Sequence, residues 1–187
     1  YLLDGEWLDF ETREVTILVK LWSEFRLPVT RSVLRSRHGP VIRSGEHTYA
    51  IRYAGMDEVG QLSQYIALNK ATNFDQFSQA MAMQKLPSIN FVYADKDSNI
   101  SFVHNAQYPA RPDIDIDWRK GLPGDRGELI WQGTRPFSQT PILTNPESGL
   151  LFNANNTPFS ATDGSDNLKA SDVPESMGLA TNQTNRS

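Results

Sequence analysis

Residues 88–104 read Ser88-Ile89-Asn90-Phe91-Val92-Tyr93-Ala94, then Asp95-Lys96-Asp97-Ser98, then Asn99-Ile100-Ser101-Phe102-Val103-His104. Two runs rich in β-branched and aromatic residues flank a short polar turn, which is the pattern of a β-hairpin. Side chains alternate across a strand, so Ile89, Phe91 and Tyr93 share one face and Asn90, Val92 and Ala94 the other. Apolar residues on both faces predict a sheet covered on both sides.

Two helices are predicted upstream. Leu62, Ile66 and Asn69 or Lys70 at helical spacing predict the first over residues 57–70. Asn73 as N-cap, with Gln76 three residues later, predicts the start of the second. Phe74, Phe77 and Met81 fall on its one face, and Pro87 is its stop. Further upstream, residues 15–19, 26–34 and 49–54 read as strands, and His38-Gly39-Pro40 turns into a short one at Val41-Ile42. Pro28 marks its strand as an edge or a bulged one. Downstream, Asn145-Pro146-Glu147-Ser148-Gly149 predicts a turn into a short strand at residues 150–152. Residues 1–108 hold 3 Pro and 5 Gly, whereas residues 109–187 hold 8 Pro and 7 Gly. The first part reads as strands, two helices and the hairpin, and the second as long ordered loops. The fold class expected is α+β.

Composition excludes several functions. The 187 residues carry 18 Lys+Arg against 22 Asp+Glu, with no cluster of cations, so no nucleic-acid partner is expected. There is no cysteine, which excludes thiol nucleophiles, disulfides and cysteine-based zinc sites. No apolar stretch reaches the roughly 18 residues of a membrane span. Tyr1, Asp4 and Glu6 make the first residues unlike a signal peptide, and a chain opening on Tyr is expected to be processed or cut from a longer one.

Residue by residue, the chemistry is sparse. None of His38, His47 and His104 pairs with another histidine at i+3 or i+4, and they read as structural or exposed. Asp113, Asp115 and Asp117, two apart, would share one side of an extended segment as an acidic loop or a hard-cation site. Gly121-Leu122-Pro123-Gly124-Asp125-Arg126-Gly127 lacks the Gly-Lys-Ser/Thr ending of a phosphate loop. Asn-x-Ser/Thr triplets begin at Asn99, Asn155 and Asn182 and carry no secretory context. No Gly-x-Ser-x-Gly elbow is present. The most informative stretch is Asn153-Ala154-Asn155-Asn156-Thr157-Pro158. It reads equally as a polar turn or as amides aimed at a developing oxyanion.

Several ordered segments together resemble the penicillin acylase family of N-terminal-nucleophile hydrolases. They are His38-Gly39-Pro40-Val41-Ile42, Asn90-Phe91-Val92-Tyr93-Ala94-Asp95 with Asn99-Ile100, His104, and Tyr108-Pro109-Ala110-Arg111. Gly121-Leu122-Pro123-Gly124, Trp131-Gln132-Gly133, Asn145-Pro146-Glu147-Ser148-Gly149 and the Asn-Ala-Asn-Asn-Thr-Pro run follow, with Thr184-Asn185-Arg186 near the end. Asn-Ala-Asn-Asn-Thr-Pro, Met177-Gly178 and Thr184-Asn185-Arg186 look most like the acyl-homoserine-lactone acylase and aculeacin acylase branch.

The resemblance implies part of a four-layer αββα sandwich and an autocatalytically cleaved precursor. Its nucleophile is a Ser at the new N-terminus of the β subunit, with its own α-amine as base. Asn155 matches the oxyanion-hole Asn, Arg186 the Arg near the nucleophile's amine, and Ile89 a position lining the acyl pocket. The nucleophile is absent, so the chain is expected to be one partial domain, an internal excerpt of the β subunit, inactive alone. The implied substrate is an acyl amide, first an N-acyl-homoserine lactone. The alternatives are a β-lactam acylase fragment or a non-catalytic β-rich scaffold. The implied partners are the α subunit and the remainder of the β subunit, in the periplasm or secreted. Calcium in some relatives uses carboxylates outside this chain and a carbonyl near Asp117-Trp118, so no cofactor or metal is expected in the chain itself.

Overall fold

The structure, a computed structural model, describes residues 1–179. The chain forms two compact units, one of residues 1–53 with 112–131, the other of residues 54–111 with 132 onward. The change in composition at residue 109 does not coincide with this division.

The first unit is almost all sheet. Strands β1 (Leu2–Leu3) and β2 (Glu6–Trp7) pair across Asp4-Gly5, both at positive φ. That is the geometry of a two-residue hairpin turn, and Asp-Gly is its usual signature. The sequence reading above omits it. Strands β3 (Glu11–Trp22), β4 (Phe25–Ser36), β5 (Gly39–Ser44) and β6 (His47–Ala50) follow as an antiparallel meander in chain order. All four expected strands exist, but β6 ends before the predicted residue 54. After Ile51 donates to the Pro40 carbonyl (2.8 Å), the Arg52 guanidinium leaves the sheet for the Trp131 carbonyl (2.8 Å) and ring. Pro28 is an edge residue: β5 pairs with β4 only at Leu34, Arg35 and Ser36, so β4 has no second neighbour at Pro28.

The β3–β4 hairpin is apolar on both faces and bare on both. Leu18 is 60% exposed and Trp22 65%, with Ile17, Val19, Leu21, Phe25 and Leu27 also exposed. Trp22 stacks on Phe25 beside the turn, with ring centroids 4.9 Å apart.

The second unit holds the buried clusters. Helices α1 (Gln61–Lys70) and α2 (Phe74–Met81) precede the predicted hairpin, β7 (Ser88–Ala94) and β8 (Ile100–Ala106), and β9 (Ile142–Thr144) pairs with the far edge of β8. Phe77 and Met81 of α2 pack with Val103 of β8, flanked by Phe74, Phe91 and Tyr93. On the opposite face Phe102, Leu143 and Ala161 form a second cluster, with Leu151 against it. Thus β8 is covered on both sides as expected, while β7 is an edge strand whose Ile89 and Val92 stay exposed.

Three expectations need correction. α1 starts at Gln61, not residue 57, because Asp57 sits at φ 70°, outside helical space. Its Leu62 and Ile66 are exposed, and the residue that faces inward is Gln64, fully buried (0%). Gln64 donates to the Met81 carbonyl (3.3 Å) at the end of α2 and accepts from the Lys85 and Leu86 amides (2.6 and 2.9 Å). Residues 150–152 are not a strand. Their Phe152 amide donates to the Ala161 carbonyl (3.0 Å) without a paired strand, and the strand of this region, β9, precedes the Asn145 turn. Finally, α2 ends at Met81, well short of Pro87, and its capping is offset. Asn73 accepts from the Gln76 amide (2.9 Å) as predicted, but Gln76 reaches back to the amide and hydroxyl of Thr72.

Replacing Gln64 by Met, similar in volume but without the amide, strips partners from three backbone groups at once. Leaving buried groups unsatisfied in this way should lower stability by about 3 kcal/mol in denaturant unfolding. An unchanged unfolding midpoint contradicts the role given to Gln64. A second test concerns Asp95, whose carboxylate accepts from the Asp97 and Asn99 amides, Asn99 Nδ2 and the Tyr93 hydroxyl, at 2.9–3.0 Å. The Asn99 side chain foremost, with these other donors, holds the Asp95 carboxyl below its ordinary value. A carboxyl depressed in the folded state stabilises above its unfolded pKa and loses that contribution as pH falls. The stability gap between the native protein and Asp95→Ala should therefore be open at neutral pH and close below about pH 4.

Candidate functional site

The Asn-Ala-Asn-Asn loop is built from its own amides. Asn155 stands at φ 59°, the left-handed region that Asn tolerates better than most residues. Its backbone N–H donates to Asn153 Oδ1 (3.0 Å), closing a turn around Ala154. Asn156 is buried (4% exposed). Its Oδ1 accepts from the Ala154 amide (2.7 Å) and its Nδ2 donates to the Thr157 and Ser160 carbonyls (3.1 and 2.9 Å). Pro158 begins a short 3₁₀ turn, Pro158–Ser160, that supplies the last of these acceptors. Asn153, Ala154 and Asn155 are exposed, so the loop presents Asn155 on a surface while anchoring beneath it.

The anchor to the sheet is Asn90, in the middle of β7. Its Nδ2 donates to Asn153 Oδ1 (3.0 Å) and to the Asn156 carbonyl (3.1 Å). The sequence reading placed Asn90 only as a face-sharing strand residue. The signal available was a lone amide inside the apolar run Ile89-Asn90-Phe91-Val92. Ile89 is next to it in the chain but on the opposite face, 45% exposed on the edge strand. The loop that carries Asn155 and the side chain of Ile89 thus lie on opposite faces of β7, and the strand does not bring the two together. Arg186 lies outside the described residues.

Register puts His104 of β8 directly opposite Asn90, on the same face. Its Nδ1 is 2.5 Å from the Tyr108 hydroxyl, which also lies 2.8 Å from the His104 carbonyl. Burial pushes the imidazole pKa down and the Tyr108 phenol up, so both groups are neutral at neutral pH. The structural reading of His104 fits this pairing. His38 also serves structure, with Nε2 3.0 Å from the Gly124 carbonyl.

The acidic run does not converge. Residues 113–117 are not extended: the Ile114 and Ile116 amides each bond two residues back, to Pro112 and Ile114. Both oxygens of Asp117 are held by Arg119 (2.7 and 2.9 Å), which depresses its carboxyl well below the usual range. Among the described residues no three His, Asp or Glu stand together as a metal would need. Asp113, Asp115 and Asp117 therefore do not form a hard-cation site between them. The glycine-rich segment binds a carboxylate of its own chain, the Gly127 amide donating to Asp4 (2.8 Å). A Cβ at Gly127 would overlap the Asp4 carboxylate, so a side chain there would push that carboxylate aside. Among the described residues, no helix is long and apolar enough to cross a membrane.

What the loop can do chemically is limited and specific. An Asn side chain on a backbone fixed at several points is a preorganised neutral donor for a developing negative oxygen. It supplies neither a nucleophile nor a base.

The sequence model of the family described as penicillin amidase matches residues 1–183. Penicillin G acylase of Escherichia coli is 36% identical over 162 residues, covering 84% of this chain and 18% of that protein. Acyl-homoserine lactone acylase PvdQ of Pseudomonas fluorescens (strain Pf0-1) is 27% identical over 117 residues, 58% of this chain and 15% of that one. Acyl-homoserine lactone acylase QuiP of Pseudomonas syringae pv. syringae is 25% identical over 164 residues, 83% and 19% of the two. Among solved structures, a thermostable penicillin G acylase from Alcaligenes faecalis superposes with a TM-score of 0.68 at 28% identity, covering 88% of this chain and 29% of its own. The chain thus spans less than a fifth of the length of these curated relatives. A family match over nearly every residue and a shared fold lead to one conclusion: the chain belongs to the penicillin amidase family.

Proposed function

We propose that this chain is part of the β subunit of an acylase that removes acyl chains from amides, with Asn155 as its oxyanion donor. The observation that carries this reading is the loop itself. Asn155 is exposed, its backbone is held at a left-handed φ, and its neighbours on both sides are tied to β7. Such a donor lowers the barrier because the charge it meets exists mainly in the transition state.

The rest of the machinery follows the family. A Ser at the N-terminus of the mature β subunit attacks the acyl carbon, and its α-amine, through a water, takes the proton. Both are outside this chain. Asn155 Nδ2–H then stabilises the tetrahedral oxyanion beside a backbone N–H. Arg186 stands near the nucleophile's amine, and Ile89 lines the acyl pocket. The two units belong to one partial domain of a four-layer αββα sandwich, made as a precursor and exported to the periplasm or beyond. The α subunit and the remaining β subunit cover what is bare here. The exposed Ile17, Leu18, Val19, Leu21, Trp22, Phe25 and Leu27 support this, since a hairpin apolar on both faces is the middle of a layered sheet.

Two substrate classes fit. Asn-Ala-Asn-Asn-Thr-Pro favours N-acyl-homoserine lactones as the first reading. The higher identity to a penicillin G acylase favours a β-lactam side-chain amide as the second. Comparing kcat/KM of the full-length enzyme on a long-chain acyl-homoserine lactone and on penicillin G decides between them. The 187-residue chain alone should hydrolyse neither above background, and turnover by it contradicts the assignment of the nucleophile elsewhere.

In the processed full-length enzyme, Asn155→Ala should lower kcat about 100- to 1000-fold with a much smaller change in KM. Alanine is also strained at a left-handed φ, by roughly 1–2 kcal/mol. Asn155→Gly separates the two effects, because it relaxes the backbone and still lacks the amide. It should restore stability and leave kcat as low as in Asn155→Ala. If Asn155→Gly turns over like the native enzyme, the side chain is no donor.

A further inference from the structure

The loop that carries Asn155 has no regular secondary structure to fix it, yet an oxyanion donor must be held to within a few tenths of an ångström. The position of its backbone has to come from somewhere. On β7, Asn90 spends both N–H groups of one amide on two residues of the Asn155 turn: Asn153, two before it, through its side-chain oxygen, and Asn156, next after it, through its carbonyl. The orientation of this amide is fixed chemically. A carbonyl can only accept, so the Asn90 atom facing Asn156 is the nitrogen. Asn153 Oδ1 in turn receives two donors, Asn90 Nδ2 and the Asn155 backbone N–H, so that atom is the oxygen. One path therefore runs from the strand to the Asn155 amide through the shared oxygen of Asn153, and a second ties down the next residue, Asn156, by its carbonyl. β7 is paired with β8 along its whole length, and β8 is buried on both faces, so the tether ends on a strand of fixed register.

We infer that Asn90 is a positioning residue for the reaction, one that sets the Asn155 backbone, and with it the amide aimed at the oxyanion, through Asn153 and Asn156. This rests on the reading of Asn155 as the oxyanion donor. Asn90 touches no substrate in this account. Its effect on turnover passes through Asn155, and it leaves ground-state binding unchanged.

The test is a double-mutant cycle in the full-length, processed enzyme, with kcat and KM measured on one acyl amide. Asn90→Ala should lower kcat roughly 10- to 100-fold, as a misplaced group does, with KM little changed. Asn90→Asp should be worse, because it sets a carboxylate oxygen against the Asn156 carbonyl. In an Asn155→Ala background, Asn90→Ala should lower kcat by less than about twofold more, since nothing remains to position. Asn153→Ala, at an exposed loop residue, removes the shared acceptor and should reproduce the Asn90→Ala pattern even if Asn90 variants fail to mature. Native kcat in Asn153→Ala and Asn90→Ala, or losses that multiply in the Asn155→Ala background, overturn the inference while leaving Asn155 its role. Native kcat in Asn155→Gly removes the reading beneath it, which is a separate and recognisable failure.

Discussion

Strand β8 is buried on both faces, and that constraint sets the rest of the second unit. Phe102 and Val103 are neighbours in the chain and point into different clusters, one with Leu143 and Ala161, the other with α2. A slip of one residue would exchange the two faces and put either Ser101 or His104, depending on its direction, where an apolar side chain belongs. Register is therefore fixed between β8 and β7, and with it the face on which Asn90 emerges. The candidate site inherits its geometry from this pairing.

From β7 outward the structure changes character. Apolar packing gives way to a polar scaffold in which amides hold amides. Asn90, Asn153 and Asn156 satisfy one another and the backbone around Asn155, and Asn145 and Asn167 do the same for neighbouring turns. A loop made this way needs no ligand to be ordered, which suits a donor that must be in place before charge develops. It also explains why the loop-rich half contains so little regular structure. Its backbone groups find side-chain partners in place of ladder partners.

Much of this was legible in the sequence, and the exceptions have physical causes. The β7–β8 hairpin declared itself by alternation, and α2 by Asn73 and its Phe74, Phe77, Met81 face. α1 misled, because Leu62 and Ile66 have helical spacing while the buried contact is the amide of Gln64. Hydrophobic periodicity cannot register a polar side chain that is buried to satisfy backbone groups. The strand placed at residues 150–152 was apolar but had no partner to pair with, while β9 was too short to stand out. At the site, Asn155 was found through the resemblance of its motif. Asn90 was missed because its partners lie more than sixty residues away, and a sequence does not display which amide meets which.

The account's central claim is that Asn155 meets the oxyanion from a backbone already fixed by the sheet. A crystal structure of the full-length enzyme carrying a tetrahedral adduct on its nucleophile tests this directly. The account predicts Asn155 Nδ2 about 2.7–3.1 Å from the adduct's oxygen. It also predicts the Asn155 backbone unmoved and the Asn90 bonds to Asn153 and Asn156 intact. An adduct oxygen bound by other donors, with Asn155 turned away to solvent, contradicts it.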